Sequence, residues 1–167
     1  GPLAFRQITG LQPSALWSLS KILRLQQAPL RRRPARYALL NDFVLSRLGA
    51  PGIITDFSSA SLTGLLDLST LRWSIPLLRA AGLTPDQLPA LAAPATIIGS
   101  LSTRAAARCG LLAGTPLVLA GGDQQCAALG TAVLDDTEAG LCLGTAAVIS
   151  CPTARPRRGR GSGLFCT

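Results

Sequence analysis

The run from Pro116 to Gly130 holds the residues best placed to do chemistry. Leu117, Val118, Leu119 and Ala120 read as a short strand, Gly121 and Gly122 break it, and Asp123 then opens a stretch of small, helix-favouring residues. An acid so placed stands at the carboxyl end of a strand and the start of a helix, the edge at which open α/β sheets bind ligands. Two residues without a Cβ let backbone and a bulky ligand come close to that carboxylate. An Asp at a helix start also serves as an N-cap, so the run alone leaves a chemical and a capping role open.

A second acid, Asp56, lies in Thr55-Asp56-Phe57-Ser58-Ser59-Ala60-Ser61. There the spacing of Ser58, Ser59 and Ser61 suits local bonds from side chain to backbone, which favours a structural role. Five cysteines (109, 126, 142, 151 and 166) form no C-x-x-C pair, and the sequence contains no histidine, so their spacing offers no zinc site. They are expected to be reduced and mostly buried thiols of a cytoplasmic protein.

The elements that must position these groups follow from periodicity. Helical spacing of apolar residues predicts helices over 14–26, 37–48 and 70–81, with Thr84-Pro85-Asp86 starting a short fourth. Trp17 and Trp73 fall on these patterns as packing residues. The second half changes character: apolar runs at 96–99, 116–120, 141–143 and 148–150 read as strands, and the Ala-rich stretches 102–109 and 124–134 as helices between them. Alternation of this kind makes the class α/β.

With 167 residues, 48% of them hydrophobic, the chain can build a sizeable core. It begins with Gly-Pro and has no Met, which leads us to expect a segment of a longer protein. No run approaches the ~20 apolar residues of a membrane span. The formal charge of +8 bunches in Arg31, Arg32, Arg33 and Arg36 and again in Arg155, Arg157, Arg158 and Arg160, while the stretch from Gly49 to Gly144 is close to balanced. With little aromatic surface interleaved, these clusters read as solvated loops, and neither nucleic acid nor membrane is expected as a partner.

Four blocks together carry a family resemblance: Asn41-Asp42-Phe43-Val44-Leu45-Ser46-Arg47-Leu48, then Thr55 to Ser61, then Gly114 to Gly130, then Leu143-Gly144-Thr145. In that order and at those intervals they resemble the FGGY carbohydrate kinases, most closely the xylulokinase-like branch, from about Ile8 to Cys166. The Gly-Gly-Asp-Gln block is the most specific part. The resemblance implies an incomplete ribonuclease-H-like domain of the actin and sugar-kinase superfamily. Residues 1–135 would be the later part of the sugar-binding first domain, and 136–167 the start of the nucleotide-binding second. Outside this span would lie an Asp-x-Gly-Thr phosphate loop and a Gly-rich adenosine segment.

The same resemblance implies that Asp123 is the base for a sugar's terminal hydroxyl as it attacks the γ-phosphate of ATP. Gln124 would bind substrate hydroxyls beside it, and Gly144 and Thr145 would meet phosphate oxygens. Phosphoryl transfer asks a protein mainly for positioning and charge stabilisation, which a carboxylate here can supply. The implied cofactors are ATP and Mg2+, and the implied substrate is a ketopentose, xylulose first, with other polyols and a homodimer left open. Two departures stand out: Ala146-Ala147 where the family usually has Ser-Gly, and Ser59 where it commonly has Asn. The rival expectation is a non-catalytic kinase-like remnant with a structural or interaction role.

Overall fold

The computed structural model describes residues 1–29, 36–144, 147–156 and 164–167. Helix α1 (Pro2–Thr9) starts on a proline, whose missing N–H costs nothing in a first turn, and stops at Gly10 in the left-handed conformation. Helix α2 (Ser18–Gln27) starts four residues later than the periodicity predicts, because Trp17 is buried and its Nε1 donates to the Gln12 carbonyl at 2.6 Å. Helix α3 (Leu40–Leu48) ends at Gly49. There φ is 140° and a Cβ would lie 2.3 Å from the Ser100 carbonyl oxygen, so only glycine lets the helix end meet the later strand.

Next come β1 (Ile54–Asp56), α4 (Phe57–Ser61), β2 (Leu66–Asp67) and β3 (Arg72–Trp73). They are followed by α5 (Ile75–Ala80), a 3-10 turn (Pro85–Gln87), β4 (Ala90–Ala92), β5 (Ile97–Ser100) and α6 (Thr103–Cys109). Strand β6 (Pro116–Val118), α7 (Asp123–Gly130), β7 (Gly140–Leu143) and β8 (Ala147–Ser150) complete the order. Strand β1 pairs in parallel with β4, while β2 with β3, β5 with β6 and β7 with β8 pair antiparallel. The β5–β6 ladder shifts register between Ile97 and Gly99.

The helix expected over 70–81 is shorter, because its first residues belong to the β2–β3 hairpin. Asp67 accepts from the Ser69 and Leu71 amides, and Leu71 turns the chain at φ 52°. Pro76, favoured in a first turn, then lets α5 start at Ile75. Trp73 Nε1 donates to the Pro89 carbonyl at 2.9 Å, a packing role like that of Trp17.

Two larger apolar clusters hold the body together. Ile22, Leu65, Leu78, Ala81, Leu83 and Leu88 join α2, α5 and the loops around them. Ile98, Leu101, Ala105, Ala106, Leu117 and Leu119 lock α6 against the β5–β6 pair, and Ser102 caps α6 by accepting from the Ala105 amide at 3.3 Å. Among the described residues, none beyond Leu119 is buried. The cysteines correct the expectation of buried thiols: all five are free, Cys109, Cys126, Cys142 and Cys151 are exposed, and Cys166 is half-buried. Three of the exposed four lie beyond Leu119, a stretch in which no described residue is buried.

The last described residues return to the first ones. The Cys166 amide donates to the Gly10 carbonyl at 3.1 Å, an Arg6 guanidinium nitrogen to Leu164 at 3.3 Å, and Phe165 meets Trp17 edge-on with ring centres 5.6 Å apart. No helix among the described residues is long and apolar enough to cross a membrane.

Candidate functional site

Strand β6 delivers the chain through Leu119, whose side chain is buried, into Ala120-Gly121-Gly122, and α7 begins at Asp123. Gly122, not Asp123, is the N-cap: its carbonyl accepts from the Cys126 amide at 2.9 Å. Asp123 is therefore the first residue of the helix proper and is exposed. Its Oδ1 accepts from the next amide, Gln124 N, at 2.8 Å. The carboxylate thus benefits from the positive end of α7 while remaining open to a ligand.

Behind this turn stands the Thr55-to-Ser61 block. Asp56 ends β1 and caps α4, accepting from the Ser58 and Ser59 amides at 2.8 and 3.0 Å and also from the Ser58 hydroxyl. Burial alone pushes the Asp56 carboxyl up, but the bonds from Ser58 and Ser59 outweigh it and hold the group below its ordinary value. Ser58 Oγ also accepts from the Gly122 amide at 2.6 Å, across 64 residues of sequence. Sequence reasoning found the capping but missed this long reach, which no local pattern signals.

Asp42, fully buried in α3, reaches back to accept from the Leu39 amide at 3.3 Å and takes a second bond from the Asn41 side chain at 3.1 Å. Burial pushes its carboxyl up to about 6. The nearby Thr55 hydroxyl and the Leu39 amide pull against that rise, and the charge of Asp56 adds to it. Thr55 Oγ1 is itself buried without a hydrogen-bond partner of ordinary geometry. The Asn41-Asp42 and Thr55-Asp56 blocks, which read as separate in the sequence, therefore form one polar seam under the candidate site.

Gln124 is half-buried, and its Nε2 lies 3.9 Å from Cys142 Sγ, which sets the first turn of α7 beside β7. Gly144 follows β7 directly, with open space around the position of a Cβ. Thr145 and Ala146 lie outside the described residues, as do Arg31, Arg32, Arg33, Arg157, Arg158 and Arg160 of the basic clusters. Gln125 folds back over the turn: its Oε1 would be 2.3 Å from a Cβ on Gly122, and its Nε2 donates to Thr167 Oγ1 at 2.7 Å. Among the described residues no group of three or more Asp, Glu, Cys or His is placed to hold a metal ion.

Residues 2–130 match the N-terminal domain of the FGGY family of carbohydrate kinases. The autoinducer-2 kinase of Yersinia enterocolitica is 35% identical over 136 residues, which cover 80% of this chain and 26% of that protein. The chain thus spans about a quarter of the length of the curated relatives it matches. The structure of ligand-bound xylulose kinase from Lactobacillus acidophilus superposes with a TM-score of 0.86 at 24% identity, over 92% of this chain and 32% of that one. That of Plasmodium falciparum glycerol kinase with ADP gives 0.79 at 25% identity, over 89% and 30%. The architecture is accordingly part of the ribonuclease-H-like fold of the actin and sugar-kinase superfamily.

Proposed function

The chain belongs to the FGGY family of carbohydrate kinases, and from that premise we propose that the full-length protein transfers the γ-phosphate of ATP to the terminal hydroxyl of a ketopentose, xylulose first. The observation that carries this reading is the state of Asp123. It is exposed at the first position of α7, beyond a strand-end glycine turn, and a different residue serves as the N-cap. A carboxylate so placed is spare for a ligand. It would accept a hydrogen bond from the reacting hydroxyl, orient the oxygen, and take its proton late in the transfer.

Gln124, one position on, would donate to or accept from neighbouring substrate hydroxyls. Gly144, with open space beside it at the end of β7, fits a backbone amide that meets a phosphate oxygen, and Thr145 would add its hydroxyl. ATP with Mg2+ would supply the transferable phosphoryl group and the charge neutralisation it needs. The same reading divides the chain near residue 135, with 1–135 in the sugar-binding domain and 136–167 opening the nucleotide-binding one. The match to the family's N-terminal domain, which ends at residue 130, supports that division.

A second substrate reading has one observation in its favour, the 35% identity to autoinducer-2 kinase. Coupled ADP release by the full-length protein, with xylulose, ribulose, glycerol and autoinducer-2 as acceptors, decides between them. We expect the highest kcat/KM with xylulose. Preference for autoinducer-2 moves the substrate assignment, and no acceptor-dependent ADP release with any sugar favours a non-catalytic remnant.

A further inference from the structure

Ser58 sits between two groups that each fix one end of its hydroxyl. Its O–H donates to Asp56 Oδ1, and its oxygen accepts from the Gly122 amide at 2.6 Å. A serine hydroxyl has a single proton, so once Asp56 takes it the lone pairs face the glycine turn. Asp56 is itself anchored: it is buried at the end of β1 and held by two further amides. Strand β1 is paired to β4, and α4 packs on both. The relay Asp56–Ser58–Gly122 therefore ties the turn before Asp123 to a rigid part of the body.

The packing at the turn supports the same view. A Cβ on Gly121 would come within 3.3 Å of Ser58 Oγ and 3.5 Å of Cys126 Sγ, so Ser58 touches the glycine turn as well as bonding to it. Gly122 is the N-cap of α7, and its backbone sets where Asp123 starts. Among the described residues none beyond Leu119 is buried, so this bond, rather than burial of α7, restrains the turn that leads into Asp123.

We propose that Ser58, oriented by Asp56, is a positioning residue for Asp123: it fixes the Gly121-Gly122 turn and so aims the carboxylate at the acceptor hydroxyl. The inference rests on Asp123 being the base. In this role Ser58 acts through the turn and not on the substrate itself, so its loss should appear in kcat and leave KM alone. Misplacement of a reacting group by about 1 Å can cost on the order of 10²-fold.

The test uses four variants of the full-length protein: Ser58→Ala, Ser58→Thr, Asp123→Asn, and Ser58→Ala combined with Asp123→Asn. Ser58→Ala should lower kcat roughly 10- to 100-fold, with KM for sugar and ATP changed by less than about twofold. Ser58→Thr keeps the hydroxyl and should recover most of kcat. In the Asp123→Asn background, Ser58→Ala should cost nothing further, because the group it aims is gone. Amide exchange gives a readout independent of turnover: the Gly122 N–H should be protected in the wild type and exchange faster in Ser58→Ala. A Ser58→Ala protein with wild-type kcat, or an unprotected Gly122 amide in the wild type, overturns the positioning role. Full turnover in Asp123→Asn removes instead the reading on which it rests, so the two failures are told apart.

Discussion

Residues up to Leu119 and those from Gly121 onward are built differently. The first region contains every buried residue described, most of the apolar ones gathered in clusters around Leu65, Leu117 and Leu66, and all its helices but α2 end on glycine or start on a cap or a proline. The second has regular elements, but none of its described residues is buried. Helix α7 buries nothing, and Leu129, Leu134, Leu141, Leu143 and Ile149 are all more than half exposed. Asp123 stands at the border, backed by a rigid seam on one side and open on the other. A carboxylate in that position can be aimed by packed structure without being consumed by it.

Stability measurements on this chain can break that contrast. Leu65→Ala removes a fully buried side chain from a cluster of six buried residues and should cost about 2–5 kcal/mol of unfolding free energy. Leu143→Ala removes one that is 74% exposed and should change stability by less than about 0.5 kcal/mol. Urea unfolding of the two variants checks both numbers. Similar losses would show that the second region packs as the first does.

The next effect is smaller and sharpens the account of the seam. The Asp42 carboxyl, raised from its ordinary 3.8 to about 6 by burial, binds its proton more tightly folded than unfolded. That contribution is fully favourable below the unfolded value and is lost as pH rises through about 6. At about 1.4 kcal/mol per pH unit the ceiling is roughly 3 kcal/mol. Asp56, held low in the folded state, behaves oppositely: its contribution is present above the ordinary carboxylate range and is lost as pH falls below it. Asp42→Asn should raise the melting temperature at pH 7 and flatten its dependence between pH 4 and 7. Asp56→Asn should lower it at pH 7 and weaken the acid sensitivity below pH 4. Thermal melts across pH 3–8 check the signs, and equal behaviour of the two variants would contradict them.

Much of the site was legible because its signals are local. An apolar run, two glycines and an acid sufficed to put Asp123 after a strand and at the start of α7, although β6 itself stops at Val118, and serine spacing sufficed to make Asp56 a cap. What escaped is non-local. Strands β1 and β4 are three residues each, too short to show a period, and their parallel pairing joins residues 36 apart, as Ile54 with Ala90. The Ser58–Gly122 bond and the burial of Asp42 depend on that pairing and on the β5–β6 ladder. The hairpin inside the stretch read as one helix was hidden because Leu71, Trp73, Leu77 and Leu78 happen to keep helical spacing. Cysteine burial was misjudged because composition carries no information about which thiols the fold covers.

On the proposed function, Asp123 serves chemistry and not folding. The full-length protein should be compared with its Asp123→Asn variant, which keeps size and an Oδ1 that can accept from the Gln124 amide, for melting temperature and sugar-dependent ADP release together. The account predicts melting temperatures within a few degrees of each other and a turnover lower by roughly 10²–10⁴-fold, the usual contribution of a general base. Near-normal turnover, or a loss of stability as large as that of Leu65→Ala, would contradict it.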